Sequence, residues 1–199
     1  LLACSALVRA ARVLEQPRLL EGARPAVMTS LIAQRDDGSW SYAESARGGW
    51  VDNFHTAYVL ESLAHCAHAI AEARDALDSG VDYWERTLFL SDGTPKYTPD
   101  RVFPLDAHCY ASAIDAYLAL ASWRAPALAR AEVIAALLVT RMLDSSGYVY
   151  FQQGRHWTNR VPFIRWTTAP SFKALAGLLL ARGSEAGSMR EEQAGARLD

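Results

Sequence analysis

A turn-forming pair of residues recurs three times along this chain, and it constrains the fold more than any other feature. Asp37-Gly38 is followed by Asp92-Gly93 and then by Ser146-Gly147, at intervals of 55 and 54 residues. Aromatic residues follow each pair, and each is then followed by a segment that opens a long apolar stretch. Self-similarity at a fixed period predicts a repeat architecture, in which each unit buries its apolar face against its neighbours.

The segments between these turns have the composition of helices. Alanine and leucine are abundant and β-branched residues are sparse, which favours helix over strand. Each repeat therefore holds two helices. The most apolar ones are predicted to form an inner ring, at 52–74, 105–122 and 167–182. The predicted outer helices are 25–35, 78–90 and 126–143, and a further helix spans 1–16.

The position of the turns fixes the direction of the inner helices. Because a turn precedes every inner helix, all their N-termini lie at one end of the ring, which we call the mouth. The sequence thus predicts an all-α protein, a partial α/α toroid of about three helical hairpins with an extra N-terminal helix. The toroid domain is predicted to span 1–182 and to be N-terminally incomplete. The polar segment 183–199, rich in alanine and glycine, is predicted to be disordered.

Charge, hydropathy and cysteine usage exclude several classes of protein. The net charge is −2, with 20 Lys and Arg against 22 Asp and Glu, so there is no basic footprint for nucleic acid. No apolar stretch reaches the roughly 18 to 20 residues that span a bilayer. Cys4, Cys66 and Cys109 form no CxxC pair. They are predicted to be reduced, buried thiols, which favours a cytoplasmic protein.

The first turn carries a motif. Gln34-Arg35-Asp36-Asp37-Gly38-Ser39-Trp40 resembles the QW motif of terpenoid cyclases, in which the glutamine and tryptophan brace the turn between an outer and an inner helix. The resemblance implies the α/α toroid that terpenoid cyclases share with protein prenyltransferases and several carbohydrate-active families. It does not select a reaction, because one fold supports many functions.

A second resemblance covers roughly residues 30–182. Three segments resemble bacterial toroid proteins associated with surface-polysaccharide gene clusters: Trp50-Val51-Asp52-Asn53-Phe54-His55-Thr56, Asp92-Gly93-Thr94-Pro95-Lys96-Tyr97 and Pro162-Phe163-Ile164-Arg165-Trp166. The resemblance implies a role in polysaccharide metabolism and a small-molecule or oligosaccharide ligand. It implies no particular mechanism.

The mouth gathers the candidate site residues. From the inner N-termini come Asp52, Asn53, His55, Asp106, His108, Arg165 and Trp166, while Trp50 and Tyr97 lie in adjoining loops. His55 and His108 are the candidate acid and base, with Asp52 and Asp106 orienting or ionising them. Arg165 is the candidate for binding a carboxylate bidentately. The candidate substrate contacts are Trp166, Trp50, Asn53 and Tyr97, because aromatic faces suit sugar rings and helix N-termini favour anions.

These residues also have structural interpretations. Asp52 and Asp106 stand where N-caps are expected, and His55 and His108 lie on mostly buried helices, where hydrogen-bonded core histidines occur.

A zinc set could be assembled from His55, Asp106, His108 and Cys109. The Asp-x-Cys spacing of protein prenyltransferases is absent, as are the DxDD and DDxxD motifs of terpene enzymes. The sequence therefore predicts neither a metal nor a cofactor.

The leading hypothesis is a carbohydrate-active protein that acts on or binds an acidic saccharide, by lyase, epimerase or hydrolase chemistry. One alternative is a prenyltransferase-like or terpene-cyclase-like enzyme, and the other is a non-catalytic helical-repeat scaffold that binds a ligand. An enzyme of the first kind predicts a polar pocket in which His55, His108 and Arg165 converge. A terpene enzyme predicts a deep aromatic cavity. His65, His68 and His156 are predicted to be inert.

Overall fold

The computed structural model describes residues 1–43 and 45–195 of the chain. The α-helices of these residues are α1 (Leu2–Val13), α2 (Pro17–Ile32), α3 (Asn53–Cys66), α4 (Ala73–Thr87), α5 (Ala107–Leu120), α6 (Ala127–Met142) and α7 (Ala169–Gly195). A 3₁₀ turn spans Ala46–Gly48, and a π-helical turn, Ile164–Thr168, leads into α7. Three two-residue strands complete the secondary structure, namely β1 (Leu105–Asp106), β2 (Gln152–Gln153) and β3 (Thr158–Asn159).

The helices form two layers. Helices α1, α3, α5 and α7 pack side by side in chain order as the inner layer. Helices α2, α4 and α6 form the outer layer and pack against α1, α3 and α5 in turn. The predicted all-α fold, a partial α/α toroid of about three helical hairpins, is confirmed. Its extra N-terminal helix, α1, extends the inner layer because it packs against α3.

The three predicted turns share one geometry. Their glycines have positive φ, at 91° for Gly38, 88° for Gly93 and 93° for Gly147. In each turn an aspartate carboxylate accepts a backbone N–H two residues along the chain at 2.9 Å: Asp37 from Ser39, Asp92 from Thr94 and Asp144 from Ser146. Such a turn is encoded locally, because glycine adopts positive φ at little cost and aspartate caps its own turn.

The QW-type motif braces the first turn as the resemblance implies. The Gln34 side-chain amide donates to the backbone oxygens of Gly38 at 3.0 Å and of Ala76 in α4 at 2.9 Å. The Trp40 indole N–H donates to the Ser30 carbonyl in α2 at 2.8 Å. These bonds tie the turn to the helix before it and to the next outer helix, and so hold the N-terminus of α3 in place.

Two predicted helix boundaries were wrong. The helix predicted over 52–74 ends at Cys66, and a turn over 67–72 separates it from α4. This turn contains neither glycine nor proline. It is held by the fully buried Ile70, whose N–H donates to the Cys66 carbonyl at 2.8 Å. The helix predicted over 25–35 instead begins at Pro17, a first-turn position where the missing N–H of proline costs nothing. It continues through Pro25, although proline usually breaks a helix interior, because the fully buried Val27 holds that segment in the core.

The C-terminal segment also differs from expectation. Helix α7 continues to Gly195, whereas the composition predicts disorder from residue 183. Alanine, glutamate, arginine and methionine are strong helix formers, so an existing helix propagates through such a segment. Residues 196–199 lie outside the described residues. None of the helices in the described ranges has the length and apolar character needed to cross a membrane.

The core between the layers is almost entirely apolar and aromatic. Its largest fully buried side chains include Trp84, Tyr110 and Tyr117. The three cysteines are buried free thiols, as predicted. Burial raises the pKa of Cys66 to about 11, so this thiol stays protonated at neutral pH.

Candidate functional site

The N-terminus of α3 holds an aspartate–histidine pair. Asp52 is 2% exposed, and its Oδ1 accepts the backbone N–H of His55 at 2.8 Å, which caps the helix. Its Oδ2 lies 2.7 Å from His55 Nδ1. The His55 side chain is 39% exposed, and its Nε2 has no hydrogen-bond partner among the described residues. Asp52 therefore caps the helix and also orients the imidazole with its second nitrogen available.

The N-terminus of α5 repeats the cap but not the pair. Asp106 Oδ1 accepts the backbone N–H of His108 at 2.8 Å, and its Oδ2 accepts from Gln152 Nε2 at 2.6 Å. Burial is the largest influence on this carboxyl and raises its pKa, and the Asp52 charge acts in the same direction. Gln152 reaches Asp106 because β1 and β2 pair antiparallel, with Asp106 opposite Gln152.

The His108 ring is bonded across the helix interface. Its Nε2 lies 2.5 Å from the Tyr58 hydroxyl on α3, and the residue is 5% exposed. Its Nδ1 is buried without a hydrogen-bond partner in the described part of the chain. Burial lowers the pKa of His108, although the backbone of Trp166 and the Asp52 charge oppose this shift. The same desolvation raises the pKa of Tyr58 to about 12. Both groups are therefore neutral at pH 7.

Aromatic and imidazole rings connect the three repeats at the mouth. The rings of Tyr42 and Trp50 are stacked, with centroids 4.3 Å apart and planes at 11°. From Tyr42 the row continues through His55, Phe54 and His108 to Trp166. The distances between successive ring centroids are 4.7, 4.2, 5.1 and 5.5 Å. The Arg165 guanidinium lies over Trp166 at 5.2 Å. We call this series the aromatic row.

The predicted single pocket shared by His55, His108 and Arg165 is not what the structure shows. A cavity of about 350 Å³ opens beside His55 and is lined by Tyr42, Asp52 and Tyr58 and by the N-terminal residues of α1. His108 does not line it and lies behind Tyr58. Arg165 is exposed at the far end of the aromatic row, beside Trp166. The three residues occupy one row rather than one pocket.

Asn53 has a structural role instead of the predicted substrate contact. It is fully buried, its Nδ2 donates to the Leu88 carbonyl at 2.7 Å, and its Oδ1 accepts from the Trp84 indole at 2.9 Å. Both polar atoms are thus satisfied inside the protein. The side chain points towards α4 because successive residues of a helix are rotated by about 100° about its axis.

Trp50 and Tyr97 border a neighbouring cleft. This cleft, of about 590 Å³, also includes Arg35 and Arg101. Tyr97 is half-buried, and desolvation raises its pKa, with the charge of Asp106 as the next influence. Trp50 is 43% exposed and lines this cleft, and its ring centroid lies 6.1 Å from that of His55.

Sequence reasoning missed Tyr58 and Gln152. Tyr58 follows His55 by three residues, which places the two side chains on one helix face, so the spacing could have identified it. Gln152 carries no such signal, because its position depends on strands of only two residues.

The zinc set assembled from sequence does not converge. Cys109 is fully buried and desolvation raises its pKa, while the oxygens of Asp106 already accept hydrogen bonds from within the protein. In the described ranges no group of three or more His, Cys, Asp or Glu residues is placed to hold a metal ion.

No protein-family model and no curated protein matches this chain. Solved structures are similar to it. An unsaturated glucuronyl hydrolase specific for heparin aligns with a TM-score of 0.68 at 14% identity, over 90% of this chain and 58% of that one. An α-1,6-mannanase of Salegentibacter sp. HEL1_6 aligns with a TM-score of 0.68 at 13% identity, over 92% of this chain and 56% of that one. Its structure is that of an inactive variant, with two aspartates replaced by asparagine, in complex with α-1,6-mannotriose. A polysaccharide lyase aligns with a TM-score of 0.64 at 14% identity, over 92% and 60%.

At these identities the likeness shows the fold. The chain is an α/α toroid of the type found in these glycoside hydrolases and lyases, and it spans less than two thirds of each. The comparisons support the toroid and not the terpenoid cyclase resemblance in particular.

Proposed function

We propose that this toroid belongs to a carbohydrate-active enzyme that transfers a proton on an acidic saccharide, as a lyase or an epimerase does. The observation that carries the proposal is the His55 imidazole, held at Nδ1 by the buried Asp52 and half-exposed at a cavity. A carboxylate that accepts from Nδ1–H leaves Nε2 as the basic nitrogen and stabilises the imidazolium formed when it takes a proton.

Tyr58 supplies the matching acid in this proposal. Tyr58 lines the same cavity, and its hydroxyl lies 2.5 Å from His108 Nε2. With its pKa raised to about 12, it keeps its proton until a developing oxyanion takes it. When His108 carries its proton on Nε2, it donates to the tyrosine oxygen and leaves the tyrosine proton free for the substrate. The base removes the proton next to a carboxylate group, and Tyr58 protonates the leaving oxygen in a lyase.

The carboxylates of the site suit a hydrolase less well. Hydrolysis of a glycoside needs two carboxyl groups about 5 to 9.5 Å apart that both reach the substrate. Asp52 and Asp106 are 2% and 4% exposed, and their oxygens accept hydrogen bonds from His55, His108 and Gln152. The groups open to a ligand are instead an imidazole and a phenol.

The aromatic row supports a sugar ligand. The stacked Tyr42 and Trp50 are 54% and 43% exposed and offer a flat apolar face beside His55. Arg165, at the other end of the row, is too far from His55 to hold the carboxylate beside the proton that His55 removes, so it is the proposed partner of a carboxylate on another sugar unit of the oligosaccharide. The similarity to an unsaturated glucuronyl hydrolase specific for heparin supports an acidic saccharide.

The test is a screen of oligosaccharides that contain uronic acids, followed by ultraviolet detection of a new C=C bond and by NMR detection of deuterium exchange next to the carboxylate. His55→Ala and Asp52→Asn are expected to lower turnover by roughly 10² to 10⁴-fold, the usual contribution of an acid or base. His156→Ala, in an exposed loop, is the matched control and should keep full turnover. Full activity in His55→Ala, or turnover of neutral sugars alone, would contradict the proposal.

A specific observation favours one second candidate, a non-catalytic glycan-binding scaffold. Asp52 and Asp106 both act as helix N-caps, a role that needs no ligand. This function predicts saturable oligosaccharide binding with neither product formation nor deuterium exchange, and binding that survives His55→Ala but not Trp50→Ala. No observation in the described residues favours the terpene-cyclase-like alternative.

A further inference from the structure

A second cavity lies away from the mouth, where the chain passes from α1 into α2. It has a volume of about 420 Å³. The charged and imidazole side chains that line it are Arg9, Arg12, Glu15, His65 and His68. His65 follows His55 by ten residues on α3, which separates the two positions by about 15 Å along the helix axis. The cavity is therefore distinct from the candidate site.

The cations of this cavity are unpaired. Arg9 and Arg12 form no hydrogen bond or ion pair with any residue that the structure describes, and Glu15, although it lines the cavity, bonds to neither. Several arginines elsewhere do form ion pairs: Arg24 with Glu72, Arg141 with Asp92, and Arg124 with Asp78 and Asp82. A pair of free guanidinium groups at a concave site is the arrangement that binds oxyanions.

The field at His65 is positive. Desolvation is the largest cause that lowers the pKa of this half-buried imidazole, and the next is the charge of Arg9. His68 and Lys173 act in the same direction, while Glu61 alone opposes them. An anion placed beside Arg9 would neutralise part of this field and raise the pKa of His65.

The helix ends near the cavity contribute charge of both signs. Helices α1 and α3 end here with the negative ends of their dipoles, and some of their last carbonyls are bonded, that of Ala11 to the Gln16 N–H at 2.9 Å and that of Cys66 to the Ile70 N–H at 2.8 Å. The first turn of α2 lines the cavity through Pro17, so the positive end of that helix dipole adds to the arginine charges.

We propose that this cavity is an oxyanion-binding site, in which Arg9 and Arg12 bind a phosphate, sulfate or carboxylate group with His65 as a further donor. The site accommodates an anionic group of a ligand without using any residue of the mouth. It does not depend on the reaction proposed there.

The experiment is an NMR titration of the histidine side-chain signals of the intact protein. His65→Gln assigns the His65 signal, and inorganic phosphate, sulfate and glucuronate are added at constant ionic strength. Phosphate is expected to shift the His65 signal saturably and to raise the pH at which it titrates. Arg9→Gln and Arg12→Gln should each weaken the affinity roughly tenfold, the value of a charge-assisted bond to an oxyanion. Arg18→Gln, whose partner is Gln16, is the matched control and should bind as the unmodified protein does.

The three anions separate the sources of the ligand group. Preference for phosphate or sulfate indicates a tetrahedral oxyanion, whereas preference for glucuronate indicates a uronic acid, and either supports the site. A shift that is unsaturable, or equal in the arginine variants, would overturn it. Because the readout is a histidine signal and not turnover, an inactive protein that binds phosphate supports this site and counts only against the proposed reaction.

Discussion

Tyr58 on α3 and His108 on α5 share a hydrogen bond of 2.5 Å between side chains 50 residues apart in sequence. The bond crosses the interface between two inner helices, from the second turn of α3 to the first turn of α5. Burial favours the neutral form of both partners, since it raises the pKa of Tyr58 and lowers that of His108. The pair thus joins two repeats and places a neutral acid beside the His55 base.

Replacing Tyr58 tests how much this bond stabilises the fold. Tyr58→Phe leaves His108 buried without a partner for Nε2, so we expect the free energy of unfolding to fall by about 1 to 3 kcal/mol. Tyr148→Phe, whose ring only lies edge-on to Tyr150, is the matched control and should change it by less than about 0.5 kcal/mol. Urea unfolding measures both. If the free energy of unfolding falls equally in the two variants, the hydrogen bond of Tyr58 does not stabilise the fold.

Substitutions of Asp106 distinguish the contribution of its helix cap from that of its buried charge. Its pKa is raised in the folded protein, so its stabilising contribution is fully present below the ordinary pKa and is lost as pH rises through the folded value. Asp106→Asn keeps an acceptor for the His108 N–H and removes the buried charge, and the Gln152 amide can turn to pair with it. We expect it to remain within about 1 kcal/mol of the unmodified protein at pH 7, whereas Asp106→Ala loses about 1 to 2 kcal/mol with the cap.

Urea unfolding at pH 7 and at pH 4 checks this prediction. The difference between asparagine and aspartate should be smaller at pH 4 than at pH 7, because the raised pKa makes the folded state favour protonated, neutral Asp106 as the pH falls. An asparagine variant as unstable as the alanine variant would show that the carboxylate itself is required.

The sequence predicts local features of this site and misses the ones that depend on packing. Glycine turns and aspartate N-caps are encoded within a few residues, so the two Asp-Gly turns, the Ser146-Gly147 turn and the caps at Asp52 and Asp106 follow from spacing alone. His55 and His108 look equivalent in sequence, and the backbone N–H of each bonds to its capping aspartate, yet only the imidazole of His55 also bonds to that aspartate. His108 instead bonds to Tyr58, and that choice depends on the register of α3 against α5, which no local pattern encodes.

Stability should fall in mild acid. The pKa values of His108 and His65 are lowered mainly by desolvation, so the neutral forms are favoured in the folded state. Their contribution to stability is fully present above the ordinary histidine pKa of about 6.5 and is lost as pH falls through the lowered folded values. We expect the free energy of unfolding to decrease between pH 7 and pH 5, by at most about 1.4 kcal/mol per pH unit for each histidine.

Single histidine substitutions show which residue causes this pH dependence of stability. His108→Gln should make it shallower and leave the share of His65, while His156→Gln, on an exposed loop, should leave it unchanged. Chemical unfolding across the pH range provides the measurement. A pH dependence that His108→Gln does not alter would show that His108 accepts a proton in the folded protein as easily as in the unfolded one.

The turn glycines offer a test of how the repeat is held together. Gly38 and Gly147 have nearly the same φ, 91° and 93°, so replacing either by alanine incurs the same backbone cost of about 1 to 2 kcal/mol. Their surroundings differ. A Cβ on Gly38 would lie 2.4 Å from the Ser79 carbonyl oxygen of α4, whereas a Cβ on Gly147 meets nothing within 4 Å.

Gly38→Ala must therefore displace the backbone of α4 as well, and overpacking of this kind adds about 1 to 3 kcal/mol. We expect Gly147→Ala to lower the free energy of unfolding by the backbone cost alone and Gly38→Ala to lower it clearly more. Because the Gly38 turn is tied to α4 through Gln34, and the cap of α3 follows it, Gly38→Ala should also change the NMR signal of His55. Equal losses in the two variants would mean that the first turn does not depend on its contact with α4.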